Sequence, residues 1–217
     1  MITKYGYDVF FTIAAVCFVL TVVALLFVEP KLPRYSLATL AVVVFGFSLN
    51  FFRDPDRTIP SGDSLILSPA DGKVIVVKPI QEPEYLKSEA TQISIFMSPL
   101  NVHVNRNPVS GTVKHLRYNK GEYFAAFEDK ASEKNEQNAI GIENAAGKVL
   151  FKQIAGFVAR RIVCTLGVGD RVSMGERFGM IKFGSRVDVF VPKTAIVRVN
   201  VGDIAVAGET ILAEFGR

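Results

Sequence analysis

The chain has 217 residues, 25 of them basic and 21 acidic, with a net charge of +4 and 49% apolar content. That length bounds it to one domain plus an appendage, and so small and dispersed a charge excludes a nucleic-acid binder. Its two cysteines, Cys17 and Cys164, cannot build a disulfide framework, so nothing calls for an oxidising compartment.

Residues 9–28 contain no charged side chain. As a helix at about 1.5 Å per residue they reach roughly 30 Å, the thickness of a bilayer's hydrocarbon core. Glu29-Pro-Lys-Leu-Pro-Arg34 then interrupts the helix twice with proline, and residues 35–52 form a second uncharged run. A cleavable signal peptide predicts no second span; a helical hairpin buried in a soluble core is the other competing reading. Tyr5, Tyr7, Tyr35, Phe51 and Phe52 stand at the ends of the runs, where interfacial aromatics belong. Lys4 and the terminal amine precede the first run and Arg53 and Arg57 follow the second, with only Lys31 and Arg34 between. This bias favours both ends in the cytoplasm, and the expected location is a cell (inner) membrane with the second domain on its cytoplasmic side. The expected division is a membrane anchor over 1–52, with spans at about 9–28 and 35–52, and a second domain over 53–217.

The second domain reads as short strands and turns. Ser68-Pro-Ala-Asp-Gly-Lys-Val74 is a turn entering a strand at 73–77, with Asp71 an ordinary turn residue before Gly72. Residues 93–97 form another strand, leading into Ser98-Pro-Leu-Asn-Val-His-Val-Asn-Arg-Asn-Pro108. His103 and His115 are the only histidines. His103 alternates with Val102 and Val104, which turns it away from the apolar side of its strand. No second histidine, cysteine pair or carboxylate stands at ligand spacing, so no metal site is expected. Residues 119–137 break the β pattern and read as a loop with a short helix, its aromatics packed inward, or as a lid.

Two internal echoes bear on the fold. Val168-Gly-Asp-Arg-Val-Ser-Met-Gly-Glu176 recurs as Val201-Gly-Asp-Ile-Ala-Val-Ala-Gly-Glu209, and Pro69-Ala-Asp-Gly-Lys-Val74 as Pro108-Val-Ser-Gly-Thr-Val113. Each is a tight turn at a short strand, so a duplicated β-motif is expected. The pattern resembles the hairpins of biotinyl and lipoyl carrier domains, but no lysine sits in the context those carriers modify. The resemblance therefore implies a duplicated, barrel-sandwich-like β-domain and not carrier function.

The stretch 177–192 holds two apolar β-segments joined through Gly184-Ser185. Val187, Val189 and Val191 share one face. Arg186 and Asp188 share the other, with Phe190 the apolar exception there. A Gly-Ser pair in this setting is ordinarily a bulge or a turn. It is also a place where a serine can attack its own backbone. Gly184 has no β-carbon to shield its carbonyl, and Ser185 Oγ lies one five-membered ring away from it. Only a base and an oxyanion donor are then missing.

Phe52-Arg-Asp-Pro-Asp-Arg57, Ser68-Pro-Ala-Asp-Gly72, Ser98-Pro-Leu-Asn-Val-His103 with Pro108, Arg160-Arg-Ile-Val163 and Gly175-Glu-Arg-Phe-Gly-Met-Ile-Lys-Phe-Gly-Ser-Arg-Val-Asp188 together resemble the phosphatidylserine decarboxylase proenzymes, in the short form of bacteria and archaea. The resemblance covers nearly the whole chain. It implies that Ser185 attacks the Gly184 carbonyl, giving an ester whose elimination and hydrolysis release ammonia and leave a covalent pyruvoyl group at 185. Chains 1–184 and 185–217 would form a heterodimer of the cleavage products, possible higher homo-oligomers being left open. It maps Asp71 and Ser185 onto the family's acid and nucleophile, with His103 as the histidine. Long-form members carry a second histidine where this chain has Arg106; His115 ranks below His103 as a substitute. The pyruvoyl ketone would take the amine of phosphatidylserine and draw electrons while carbon dioxide leaves, His103 returning a proton and phosphatidylethanolamine leaving as product. Arg106, Lys182 and Arg186 are candidates for the lipid phosphate by sign and nearness in sequence. An ether-lipid (archaetidylserine-type) substrate and a non-catalytic, membrane-anchored adaptor are the alternatives.

Overall fold

A computed structural model describes residues 1–121, 135–156, 161–182 and 185–216. Gly184, Arg160 and most of the segment expected to be a loop with a short helix lie outside the described residues. The chain divides into two units, Met1–Pro55 and Asp56–Arg217.

The first unit is a helical hairpin. A 3₁₀ turn, Lys4–Gly6, leads into α1, Tyr7–Phe27, and α2 follows at Lys31–Phe51. Both helices are long and apolar enough to cross a membrane, and they bury little of their apolar surface against each other. The expected double interruption by proline is corrected: the chain breaks only once, at residues 28–30. Pro33 sits in the first turn of α2, where its missing N–H has no helical partner to lose. The ends of the hairpin are zipped together. Thr3 N–H donates to Phe52 O at 2.9 Å, Asp54 N–H donates to Met1 O at 2.7 Å, and Ile2 bridges Arg53. A β-carbon on Gly6 would stand 2.2 Å from the Phe52 ring, so glycine lets that ring close the hairpin.

The second unit carries fourteen strands among its described residues. They are β1 (Leu65–Leu67), β2 (Gly72–Glu82), β3 (Ser88–Met97), β4 (Val104–Arg106), β5 (Gly111–Asn119), β6 (Gln137–Asn144) and β7 (Gly147–Ala155). The remainder are β8 (Arg161–Cys164), β9 (Arg171–Val172), β10 (Arg177–Lys182), β11 (Ser185–Pro192), β12 (Ile196–Val197), β13 (Ile204–Ala205) and β14 (Ile211–Glu214). They form an eight-stranded antiparallel sheet, β13-β2-β3-β11-β7-β6-β5-β9, and two three-stranded sheets, β1-β14-β12 and β4-β10-β8. The mainly-β architecture behind a two-helix hairpin is the one the sequence implies.

The echoes extend to the whole unit. Val74 N–H donates to Asp203 O at 2.9 Å and Gly202 N–H to Val74 O at 2.8 Å; in the other half Val113 N–H donates to Asp170 O at 2.9 Å and Gly169 N–H to Val113 O at 2.8 Å. The β2–β3 ladder slips between Val74 and Val76, and the β5–β6 ladder between Val113 and His115. The β1–β14 and β4–β10 ladders slip at matching places, setting Ile66 opposite Ala213 and Asn105 opposite Gly179. Leu67 N–H donates to Pro108 O, and Arg106 N–H to Pro69 O, so each half bonds the other reciprocally. The halves meet where β11 pairs with β7, around Val189 and Phe151. The repeated glycines are visible in sequence because their backbones are left-handed: φ is +98° at Gly169 and +105° at Gly202, +77° at Gly175 and +76° at Gly208.

One face of the large sheet builds the main core, with Val187, Val189, Val191, Ile93, Ile95 and Phe151 all fully buried. The other face is buried as well. Arg186 Nε donates to Asp188 Oδ1 at 2.6 Å and its Nη2 to Ser94 Oγ at 2.7 Å, while Phe190 joins a small cluster with Ala139 and Leu150.

Candidate active site

Ser185 opens β11 and is fully buried, facing Met97 of β3 on one side and Ala155 of β7 on the other. Its Oγ donates to Met97 Sδ at 3.2 Å. Thioether sulfur is a weak acceptor, so this contact parks the hydroxyl without activating it.

His103 stands just before β4, and its backbone carbonyl accepts Ile181 N–H of β10. Val102, His103 and Val104 are all buried, so the alternation along this segment does not bring His103 to the surface. Alternation predicts exposure only where one face of a strand meets water, and here β10 pairs alongside a segment whose two faces are both covered. His103 Nδ1 lies 3.0 Å from Asn101 O. A carbonyl only accepts, so Nδ1 carries the proton and Nε2 is the basic nitrogen.

Asp71 sits on the turn into β2. Phe96, the neighbour of Met97, faces both Arg186 of β11 and Lys73 of β2, which puts that turn at the Ser185 end of the sheet, two strands away. The Asp71 carboxylate takes Arg57 Nη2 on both oxygens, at 3.1 and 2.8 Å, and its Oδ1 also accepts Ala207 N–H at 2.8 Å. Pro69 O, on the same turn, accepts Arg106 N–H at 3.0 Å and Asn105 Nδ2–H at 3.3 Å. Asp71 thus stands at the Ser185 end of the sheet, and His103 lies two residues before Asn105, whose amide contacts Met97 Sδ as Ser185 Oγ does. The described hydrogen bonds of Asp71 go to Arg57 and Ala207, and that of the His103 ring to a backbone carbonyl.

The three cations expected near the phosphate are all buried. Arg106 Nη1 donates to Gly175 O at 2.9 Å, and Lys182 ends β10 opposite Arg161. Arg186 points to the sheet face opposite Ser185, held there by Asp188 and Ser94. His115 lies elsewhere, on the Glu84 carboxylate at 3.1 Å, which Lys152 also holds at 2.9 Å. Burial alone would raise the Glu84 carboxyl, but Lys152 and His115 more than offset this and hold it below its ordinary value. Among the described residues no group of three or more metal-ligating side chains occurs.

Sequence reasoning missed a buried amide chain beside Ser185. Gln153 Nε2 donates to Asn105 Oδ1 at 2.9 Å and to Val163 O at 3.2 Å, and Asn138 Nδ2 donates to Gln153 Oε1 at 3.3 Å. It also passed over Arg57 as a partner of Asp71. The duplication was the signal that could have found them. Counterpart by counterpart, Ser110 stands for Asp71, Ser64 for His103, Ile66 for Asn105, Leu67 for Arg106 and Val191 for Gln153. The two halves share a backbone and differ where chemistry-bearing side chains stand.

A family model described as phosphatidylserine decarboxylase matches residues 44–213. A phosphatidylserine decarboxylase proenzyme of Chlorobium limicola is 47% identical over 215 residues, covering 99% of this chain and 100% of that protein. One from Chlorobium phaeobacteroides strain DSM 266 is 45% identical at the same coverage, and one from Cytophaga hutchinsonii is 42% identical, covering 99% of this chain and 98% of its own length.

Proposed function

The chain belongs to the phosphatidylserine decarboxylase family, and from that premise we infer that it is a self-processing decarboxylase converting phosphatidylserine to phosphatidylethanolamine. The single observation that carries the self-processing step is the fully buried Ser185 at the head of a central strand, its hydroxyl resting on the Met97 sulfur. The relatives' names favour neither the adaptor nor the ether-lipid substrate.

In the proposed self-cleavage, Ser185 Oγ bonds to the carbonyl carbon of Gly184. Its proton passes through His103 Nε2 to the departing nitrogen as the C–N bond breaks, leaving an ester. Loss of the Ser185 α-proton expels the Gly184 carboxylate, and water then releases ammonia and leaves the pyruvoyl group. Asp71 keeps negative charge at this end of the sheet, fixed by Arg57. The position fits such a group, since it is buried, flanked by Met97 and Ala155, and set beside the sulfur that the Asn105 amide also contacts. When present, the group supplies an electron sink for loss of carbon dioxide from an amino acid headgroup. His103 Nε2 then holds the proton that replaces it, and Arg106 and Lys182 offer positive charge to the lipid phosphate. Arg186, saturated by Asp188 and Ser94, serves instead to fix β11.

The fragment 185–217 stays bound after cleavage, because its β11 lies between β3 and β7 of the other fragment, its β13 pairs with β2 and its β14 with β1. The two apolar helices would tether the catalytic unit at the lipid surface, with both ends of the hairpin on the cytoplasmic side of an inner membrane.

The test is Ser185→Ala beside wild type, each as the full-length chain in detergent. Wild type is expected to run as two fragments, the smaller beginning at residue 185 and reacting with a carbonyl reagent, and to release carbon dioxide from phosphatidylserine vesicles. Ser185→Ala should stay whole and inert. A wild-type chain that decarboxylates the lipid while intact and free of any ketone would refute the reading.

A further inference from the structure

We propose that Asn105, positioned by Gln153, donates the hydrogen bond that stabilises the oxyanion formed when Ser185 attacks the preceding carbonyl; this rests on the self-cleavage reading above. Asn105 and Gln153 are both completely buried. Their amide orientations follow from backbone carbonyls, which can only accept. Val163 O fixes the Gln153 nitrogen, and that same nitrogen donates to Asn105, so Asn105 presents its oxygen to Gln153. The Asn105 NH₂ therefore faces the other way, toward Pro69 O at 3.3 Å and Met97 Sδ at 3.9 Å. Ser185 Oγ donates to that same sulfur. Nucleophile and amide thus converge on one atom, itself a poor acceptor. Both contacts of the NH₂ are long, so its donor strength is little used at rest, beside the one hydroxyl the reaction needs.

The duplicate half shows that the fold does not require an amide at this position. The counterpart of Asn105 is Ile66, equally buried and opposite Ala213 as Asn105 is opposite Gly179; the counterpart of Gln153 is Val191. Two apolar residues fill these places where no serine waits, since Ser185 itself corresponds to Gly147 at the start of β7. During the attack the acyl carbon becomes bonded to Oγ and its oxygen carries the negative charge until the C–N bond breaks. That oxygen lies one bond beyond the carbon attached to Oγ, so a donor that shares the Met97 sulfur with Oγ stands to meet it with little reorganisation as charge develops.

The test follows conversion of the full-length chain into two fragments by intact mass, a readout that precedes lipid turnover. Asn105→Ile installs the counterpart residue and should fold, melting near the uncut Ser185→Ala protein, yet cleave about 100- to 1,000-fold more slowly than wild type. Gln153→Glu should turn the amide round, because a carboxylate only accepts: Asn105 then gives its NH₂ to residue 153 and its oxygen to Ser185. Cleavage of that variant should be slow at neutral pH and recover as the pH falls and the protonated acid donates again, while wild type gains nothing from acid. Wild-type cleavage by Asn105→Ile, or a Gln153→Glu profile parallel to wild type, overturns the proposal. Should Asn105→Ile fail to fold, the Gln153→Glu profile decides alone. Failure of wild type itself to cleave overturns the self-cleavage reading instead, so the two failures are told apart.

Discussion

Asp71 performs two tasks that one substitution can separate. Its Oδ1 accepts Ala207 N–H at 2.8 Å, and both its oxygens take Arg57. In the duplicate turn Ser110 Oγ performs the first task alone, accepting Met174 N–H at 2.9 Å. Asp71→Ser should therefore keep the turn and lose the ion pair. The pair is mostly buried, each side chain 13% exposed, and a charge-assisted hydrogen bond there is worth about 1.5–3 kcal/mol. Glu209 Oε2, 3.9 Å from Arg57 Nη1, remains to soften the loss toward the lower end of that range. Asp71→Ala forfeits the N–H bond too, which adds about 1 kcal/mol. At about 2–4 °C per kcal/mol for a unit of this size, Asp71→Ser should melt roughly 3–9 °C low and Asp71→Ala a further 2–4 °C lower. Both are compared in the Ser185→Ala background in detergent, so that every chain is uncut. With Ser185 restored, both should remain largely uncleaved on a denaturing gel. Equal melting of the two variants would sink the separation of tasks. Self-cleavage of Asp71→Ser at the wild-type rate would remove Asp71 from the reaction.

Three further outcomes follow from the same coordinates. Arg186→Met leaves the Asp188 carboxylate fully buried without its guanidinium and should destabilise by about 3–5 kcal/mol; Arg186→Met with Asp188→Leu should recover most of it, and a double variant no better than the single would refute this. Gly179→Ala places a β-carbon 2.0 Å from Val163 O, so β10 and β8 must separate, at a cost of about 1–3 kcal/mol; unchanged melting would count against the placement of these strands. Because the Glu84 carboxyl is held below its ordinary 4.5, its stabilising contribution is complete above that pH and is lost as acid titrates the folded protein. Wild type should then lose melting temperature below pH 4.5 more steeply than Glu84→Gln, and parallel curves would contradict the ion pairing seen with Lys152 and His115.

What could be read from the chain in advance divides along physical lines. The hairpin was legible because uncharged runs of bilayer length leave few other folds open, yet Pro33 was misjudged, since its effect depends on which turn of the helix it occupies. The duplication showed through only at its turns, where left-handed glycines at 169, 175, 202 and 208 constrain identity. Along the strands any apolar side chain of fitting size serves, so Val187 and Val149, or Ile95 and Ile142, leave no echo. Ser185, His103 and Asp71 stood out through motif, while Asn105 and Gln153 did not, because a neutral amide has no spacing rule and gains its meaning from partners distant in sequence. Those partners become visible once the halves are laid over each other. A two-fold backbone demands like residues at like places wherever packing alone decides. Each buried departure from that demand, amide for isoleucine or carboxylate for serine, answers to something other than packing. The departures at 71, 103, 105, 106 and 153 should therefore alter cleavage more than they alter the fold, whereas Arg186 and Asp188, which stand where the duplicate has Lys148 and Leu150 and lie on the face opposite Ser185, should do the reverse.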